Sequence, residues 1–185
     1  MPAPDQQTLH EAALRHLARY AATAAGLTRV LDRRIARWAA AAAADRDETA
    51  AAVAEARQVA RQIVARLVES GAVDDASFAA ARARRLIRAG RSRRAVAAHL
   101  AARGVDAATT RTVVADDASG ELAAALVYAR RRRIGPFRAG ADADAEAKSR
   151  ELAMMARAGF PREVAVQALR MAEGEAAAIV ADALR

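Results

Sequence analysis

Ala102-Arg103-Gly104-Val105-Asp106 and Arg157-Ala158-Gly159-Phe160-Pro161 are two copies of one helical corner, their glycines 55 positions apart. Each glycine closes a helix, because it enters the left-handed conformation that a C-terminal cap needs. One apolar residue follows, Val105 or Phe160, and can plug the corner. A helix starter comes next. Asp106 serves as an N-cap, and Pro161 suits the first helical position, where its missing N–H costs nothing. The helical patterns behind them run to Val113-Val114 and to Ala168-Leu169. Self-similarity at this scale predicts stacked small units, an architecture that serves binding more often than catalysis.

Composition agrees with helices. Hydrophobic residues make up 54% of the 185, mostly alanine, the best helix former and one that lets helices approach closely. Asparagine is absent and there are four prolines. With no cysteine, a disulfide framework, a thiolate metal site and a cysteine nucleophile are excluded, and a reducing cytoplasm is the expected location. The first residues lack the basic-then-apolar pattern of a signal peptide, and the alanine run 39–44 is too short to span a bilayer. The formal net charge of +8 favours an anionic partner. Only Lys148 among the 30 basic residues is lysine, so the placement of the arginines carries more information than their number.

Along the chain, Thr8 with Glu11 reads as a capping box for a helix carrying Leu9, Leu14, Leu17 and Tyr20. Gly26 reads as a break, and Thr28 as the cap of a second helix with Leu31, Ile35 and Trp38. Asp45 to Glu48 opens a third, which stops at Gly71. Asp74 or Asp75 caps the next helix, to Gly90; Ser92 caps another, to Gly104; Asp106 opens one ending near Asp117. Ser119 or Gly120 starts a helix that reaches Arg133, before the loop Ile134-Gly135-Pro136-Phe137-Arg138-Ala139-Gly140. A helix to Ala158 and one from Pro161 follow, and the tail from Glu173 reads as weakly helical and fraying. The expected fold is all-α: about nine helices in three tandem three-helix units (1–72, 73–118 and 119–185) stacked into an elongated rod.

Enzyme signatures are missing. No phosphate-cradling glycine loop, no HExxH and no GxSxG occurs. His10 and His16 are spaced so that they do not share a helical face, and His99 stands alone, so neither metal nor cofactor is expected. Asp74-Asp75 sits where a cap belongs and reads as one.

The basic clusters are more informative. Arg82, Arg84, Arg85, Arg88, Arg91, Arg93 and Arg94 lie in a stretch, 76–105, without one acidic residue. On a helical wheel Ala76, Ala79, Ala83, Leu86 and Ile87 share one arc, opposite Arg84, Arg85 and Arg88. A second cluster, Arg130 to Arg133 with Arg138, flanks the Gly-Pro loop, and a weaker third comprises Arg29, Arg33, Arg34 and Arg37. Bare arginines contact phosphates or carboxylates without reading a base sequence; no asparagine, and no glutamine in either main cluster, is present to read adenine. The aromatics are dispersed, as core plugs are, whereas a single-strand platform needs them side by side. Phe137, in a loop beside arginines, is the one expected to be exposed.

The string Leu67-Val68-Glu69-Ser70-Gly71-Ala72-Val73-Asp74-Asp75-Ala76-Ser77-Phe78-Ala79 resembles the central signature of the RecX family, regulators of the RecA recombinase. So does Gly90-Arg91-Ser92-Arg93-Arg94-Ala95-Val96, followed by Leu100 to Val105. Arg131-Arg132-Arg133-Ile134-Gly135-Pro136-Phe137-Arg138 and Met155 to Phe160 look like that family's third unit, and Leu14 to Tyr20 like its opening helix. Thr23 to Thr28 lacks the family's acidic residue, and residues 39–58 look like an insertion, so the first unit is divergent. The resemblance implies three tandem three-helix units and a non-enzymatic protein without cofactor. Such a protein binds the RecA–DNA filament and restrains strand exchange, ATP hydrolysis and co-protease activity. The expected contact residues are Arg84, Arg85, Arg88, Arg91 and Arg94, with Arg130, Arg132, Arg133 and Arg138. They would face filament protein or DNA phosphates without sequence specificity, from a cytoplasmic monomer away from any membrane. The rival reading is a helix-turn-helix-like DNA-binding regulator.

Overall fold

The computed structural model describes residues 3–42, 46–115, 118–140 and 144–185. The expected helix boundaries at Asp45 and Asp117 lie outside them. Among the described residues the chain is all-α, with ten α-helices, one 3-10 turn and no strand. Internal contacts divide it into two compact units, Met1–Phe78 with Arg103–Val105, and Ala79–Ala102 with Asp106–Arg185.

The first unit holds α1 (Gln6–Leu17), α2 (Ala24–Ala41) and α3 (Arg46–Glu69). Asp5, not Thr8, caps α1: its carboxylate accepts the Thr8 N–H at 2.9 Å, so the helix begins two residues before the expected box. α2 starts ahead of Gly26 because buried Thr23 accepts the Gly26 N–H at 2.9 Å, a cap that offsets the poor helix propensity of glycine. Thr28 turns its hydroxyl back to the Ala24 carbonyl instead. The stretch read as an insertion ends α2 and builds the first half of α3, whose 24 residues run for about 36 Å. Leu9, Leu27, Leu31, Ile35 and Ile63 form the core, with the small Ala56 and Ala60 on the buried face of α3. Leu14 and Tyr20, expected in that core, are 46% and 61% exposed; α1 has ended before Tyr20.

α4 (Asp75–Arg88) begins in this unit, and both aspartates before it act as caps. Asp74 accepts the Ser77 N–H at 2.9 Å and caps α4 itself, while Asp75 accepts the Ala24 N–H at 2.8 Å and caps α2. The corner residue Gly104 has φ +85°, Val105 behind it is buried, and the Thr23 hydroxyl donates to the Arg103 carbonyl at 2.7 Å.

The second unit continues α4 from Ala79 and adds α5 (Arg93–Ala102), α6 (Ala107–Val113), α7 (Ala118–Arg132) and the 3-10 turn Gly135–Phe137. α8 (Ala145–Arg157), α9 (Arg162–Arg170) and α10 (Glu173–Ala183) complete it. α7 is central: Ala124, Ala125, Leu126, Val127 and Ala129 are all buried, the pattern of a helix covered on every side. Met155 of α8, Phe160 of the corner after it, and Ala165 and Ala168 of α9 close over it. The tail does not fray. Ala176 and Val180, four residues apart on α10, are fully buried in the same core, which makes ten helices rather than nine. At the second corner Gly159 has φ +90°, Phe160 lies 5.6 Å from the Tyr128 ring, and Pro161 stands just outside α9 as its N-cap residue.

Candidate functional site

α4 offers two unlike faces. Ala79 and Ala83 point into the core and Leu86 and Ile87 are half-buried, so spacing of three and four residues leaves Arg84, Arg85 and Arg88 outside. The corner carries the ridge onward. Arg91 is exposed there, and Arg94 is exposed on the first turn of α5. Among the described residues none of these five guanidinium groups pairs with a carboxylate. Arg88 also rims a depression of about 340 Å³ floored by Ile87, Ala124 and Ile179, with Asp182, the partner of Arg185, lining it too.

The other two arginines of the cluster face inward. Arg82 donates from Nε to His99 Nε2 at 3.0 Å. Arg93 stands 3.5 Å from Glu121, which is 2% exposed and also accepts the Arg93 backbone N–H at 2.9 Å. The Ser92 hydroxyl accepts the Ala95 N–H as the cap of α5 and donates to the Ala158 carbonyl at 2.7 Å. The ridge thus rests on a corner tied to α7 and to the α8–α9 corner. Sequence reasoning had no signal for these anchors, because their partners lie 28 and 66 residues away.

Burial raises the pKa of Glu121 above its ordinary 4.5, against the opposing pull of the Arg93 N–H and guanidinium. A raised folded-state pKa means that this group stabilises the fold fully below its ordinary value. The contribution is lost as pH rises through the raised one. Glu121→Gln is therefore expected to abolish a loss of stability that the unaltered protein shows as pH climbs from about 4.5 toward neutrality. Urea unfolding midpoints across that window check it; parallel curves for both proteins would refute it. The caps Asp5, Asp74 and Asp106 act in the opposite sense. Hydrogen bonds from Thr8, Ser77 and Thr109 lower their pKa values, so their contribution is lost as pH falls below the ordinary 3.8.

The second cluster is split more deeply. Arg130 and Arg133 are exposed, Arg133 with φ +55° just past α7. Arg132 lies over the Tyr128 ring at 5.6 Å and Arg131 donates to the Ala89 carbonyl at 2.6 Å. Arg138 is half-buried and forks onto Glu151, Nε to Oε1 at 3.0 Å, while Glu151 also accepts the Gly135 N–H. That guanidinium holds the loop to α8. Phe137, expected outside, is half-buried against the core, because the 3-10 turn folds it inward.

The third cluster gains members from elsewhere in the chain. Arg29 donates to the Arg103 carbonyl at 3.1 Å, and Arg29, Arg33 and Arg103 line one cleft with Tyr20 and His16. Among the described residues no three His, Asp or Glu side chains converge as metal ligands, and no helix is long and apolar enough to cross a membrane.

Among the described residues the fold is all-α, with exposed arginines on α4, on α5 and at the corner between them. Residues 74–113 match the family described as RecX, second three-helix domain. Regulatory protein RecX of Myxococcus xanthus is 40% identical over 82% of this chain and 79% of its own length. Regulatory protein RecX of Agrobacterium fabrum is 33% identical over 60% of this chain and 59% of its own. No solved structure matches the chain. The chain belongs to the RecX family of regulatory proteins.

Proposed function

We propose that this protein binds the RecA–DNA filament and restrains its recombinase, ATPase and co-protease activities, through contacts and without chemistry of its own. The observation that carries the reading is the ridge of five exposed arginines on α4, on α5 and at the corner between them, none of them paired with a carboxylate among the described residues. It falls inside the segment that matches the family's second three-helix domain. Arg84, Arg85, Arg88, Arg91 and Arg94 form the main contact, with Arg130, Arg132 and Arg133 as a second; Arg138 supports the loop beside them from its pair with Glu151. The division into three-helix units at 1–72, 73–118 and 119–185 belongs to the same proposal. Serial units reach several protomers at once, so weak contacts add through effective concentration.

The test is RecA filament ATPase and filament length with and without the purified protein, at two salt concentrations. Inhibition that weakens with salt is expected, since screening acts on exposed charge. A filament whose ATPase and length are unchanged by saturating protein would remove the proposal. A footprint on one palindromic duplex, with no filament present, would favour a helix-turn-helix regulator instead.

A further inference from the structure

We infer that the first unit carries a separate site for single-stranded nucleic acid, in a furrow along α1 and α2. It goes beyond the recombinase reading and shares no residue with the α4–α5 ridge. A cleft of about 430 Å³ is lined by His16, Tyr20, Arg29, Arg33 and Arg103. A second depression, of about 230 Å³, shares His16, Tyr20 and Val30 with it and adds Arg15, Arg19, Arg34 and Arg37. A third, of about 440 Å³, shares Arg34 and Arg37 and ends at Trp38. The three depressions are neighbours linked by these shared lining residues, and together they make up the furrow. Among the described residues its only carboxylate is Asp5, which is engaged in capping α1.

The centre of the furrow is aromatic. Tyr20 is 61% exposed and its ring lies 5.3 Å from that of His16. Guanidinium groups stand on both sides of this pair, and Arg29 is held in place by its bond to the Arg103 carbonyl. Phosphates meet arginines while an unpaired base stacks on the ring, which is how proteins bind strands without reading sequence. Arg29 to Trp38 covers about 14 Å of α2, room for two to three nucleotides. An acidic peptide would satisfy the arginines and leave the exposed ring unused. A duplex keeps its base faces stacked inside and offers Tyr20 nothing to stack on.

The experiment is fluorescence anisotropy of the whole protein with a labelled twelve-residue oligothymidylate, with no recombinase present. Tyr20→Ala is expected to weaken binding about fivefold or more, and Tyr20→Phe to retain it. Arg19→Ala with Arg33→Ala is expected to flatten the dependence of log Kd on log salt by about 1.4. Both positions and Tyr20 are exposed, so circular dichroism should be unaltered. Unlabelled duplex and polyglutamate should compete poorly. Binding that ignores all these substitutions, or competition by duplex or polyglutamate as effective as by the unlabelled strand, overturns the inference. So does a flat titration of the unaltered protein.

Discussion

Arg85→Glu, Arg88→Glu and Arg91→Glu in one protein should raise the concentration needed for half-inhibition of RecA filament ATPase tenfold or more. The helical circular dichroism spectrum should stay as it was. The two halves of that expectation have one cause. These side chains are exposed and, among the described residues, make no internal ion pair, so reversing them leaves no buried charge orphaned. What changes is the field the ridge presents, since three charges turn from attraction to repulsion toward an anionic partner. Each exposed charge contributes only about 0.2–1 kcal/mol, but the reversal doubles each and the three act together. The sum spans about 1.2–6 kcal/mol, and all but its lowest edge exceeds the 1.4 kcal/mol of a tenfold change. Raising the salt should narrow the gap. Inhibition equal to that of the unaltered protein would remove these residues from the contact surface. Arg93 is the informative contrast, because it stands against buried Glu121 and its loss should appear in stability.

Gly104→Ala should destabilise the first unit by about 3–4 kcal/mol, the sum of a left-handed non-glycine residue and an overpacked contact. At φ +85° a side chain is strained in any surroundings. A Cβ here would also strike the Cβ of Ala25, which has no rotamer to swing away, so α2 itself would have to move. The corner cannot yield easily, since Thr23 and Arg29 both donate to the Arg103 carbonyl beside it. Gly174→Ala is the matched control. It meets open space on α10, and alanine's better helix propensity should raise stability by several tenths of a kcal/mol. Urea midpoints for the two variants measure both effects. A Gly104→Ala protein as stable as the parent would show that the corner has room the geometry denies.

Much of the fold was legible locally. Gly104 and Gly159 were readable as corners because a helix end needs a left-handed residue and few others supply one. Val105 and Phe160 were readable as plugs because one apolar residue inside a turn has nowhere else to go. The split of α4 into a buried alanine face and an arginine face followed from its periodicity. Caps were less legible. Thr8 and Thr28 had the right chemistry, yet Asp5 and Thr23 won because a better placed oxygen lay a few residues earlier. Asp75 shows the limit more sharply, because the helix end it caps lies 51 residues away.

Helix propensity, caps and periodicity are properties of neighbouring residues, so the order of amino acids was enough to specify helices, repeated corners and a cationic face on α4. Which arginines are available depended on how the helices pack. Arg84, Arg85, Arg88, Arg91 and Arg94 face outward, while Arg93 and Arg138 meet Glu121 and Glu151. Packing alone brought Tyr20, His16 and Arg103 to one furrow, and it alone turned the tail into a helix that closes a core. A charge is compensated, and a ring stacked, by whatever the folded chain places within a few ångströms. That distance bears no relation to separation along the sequence.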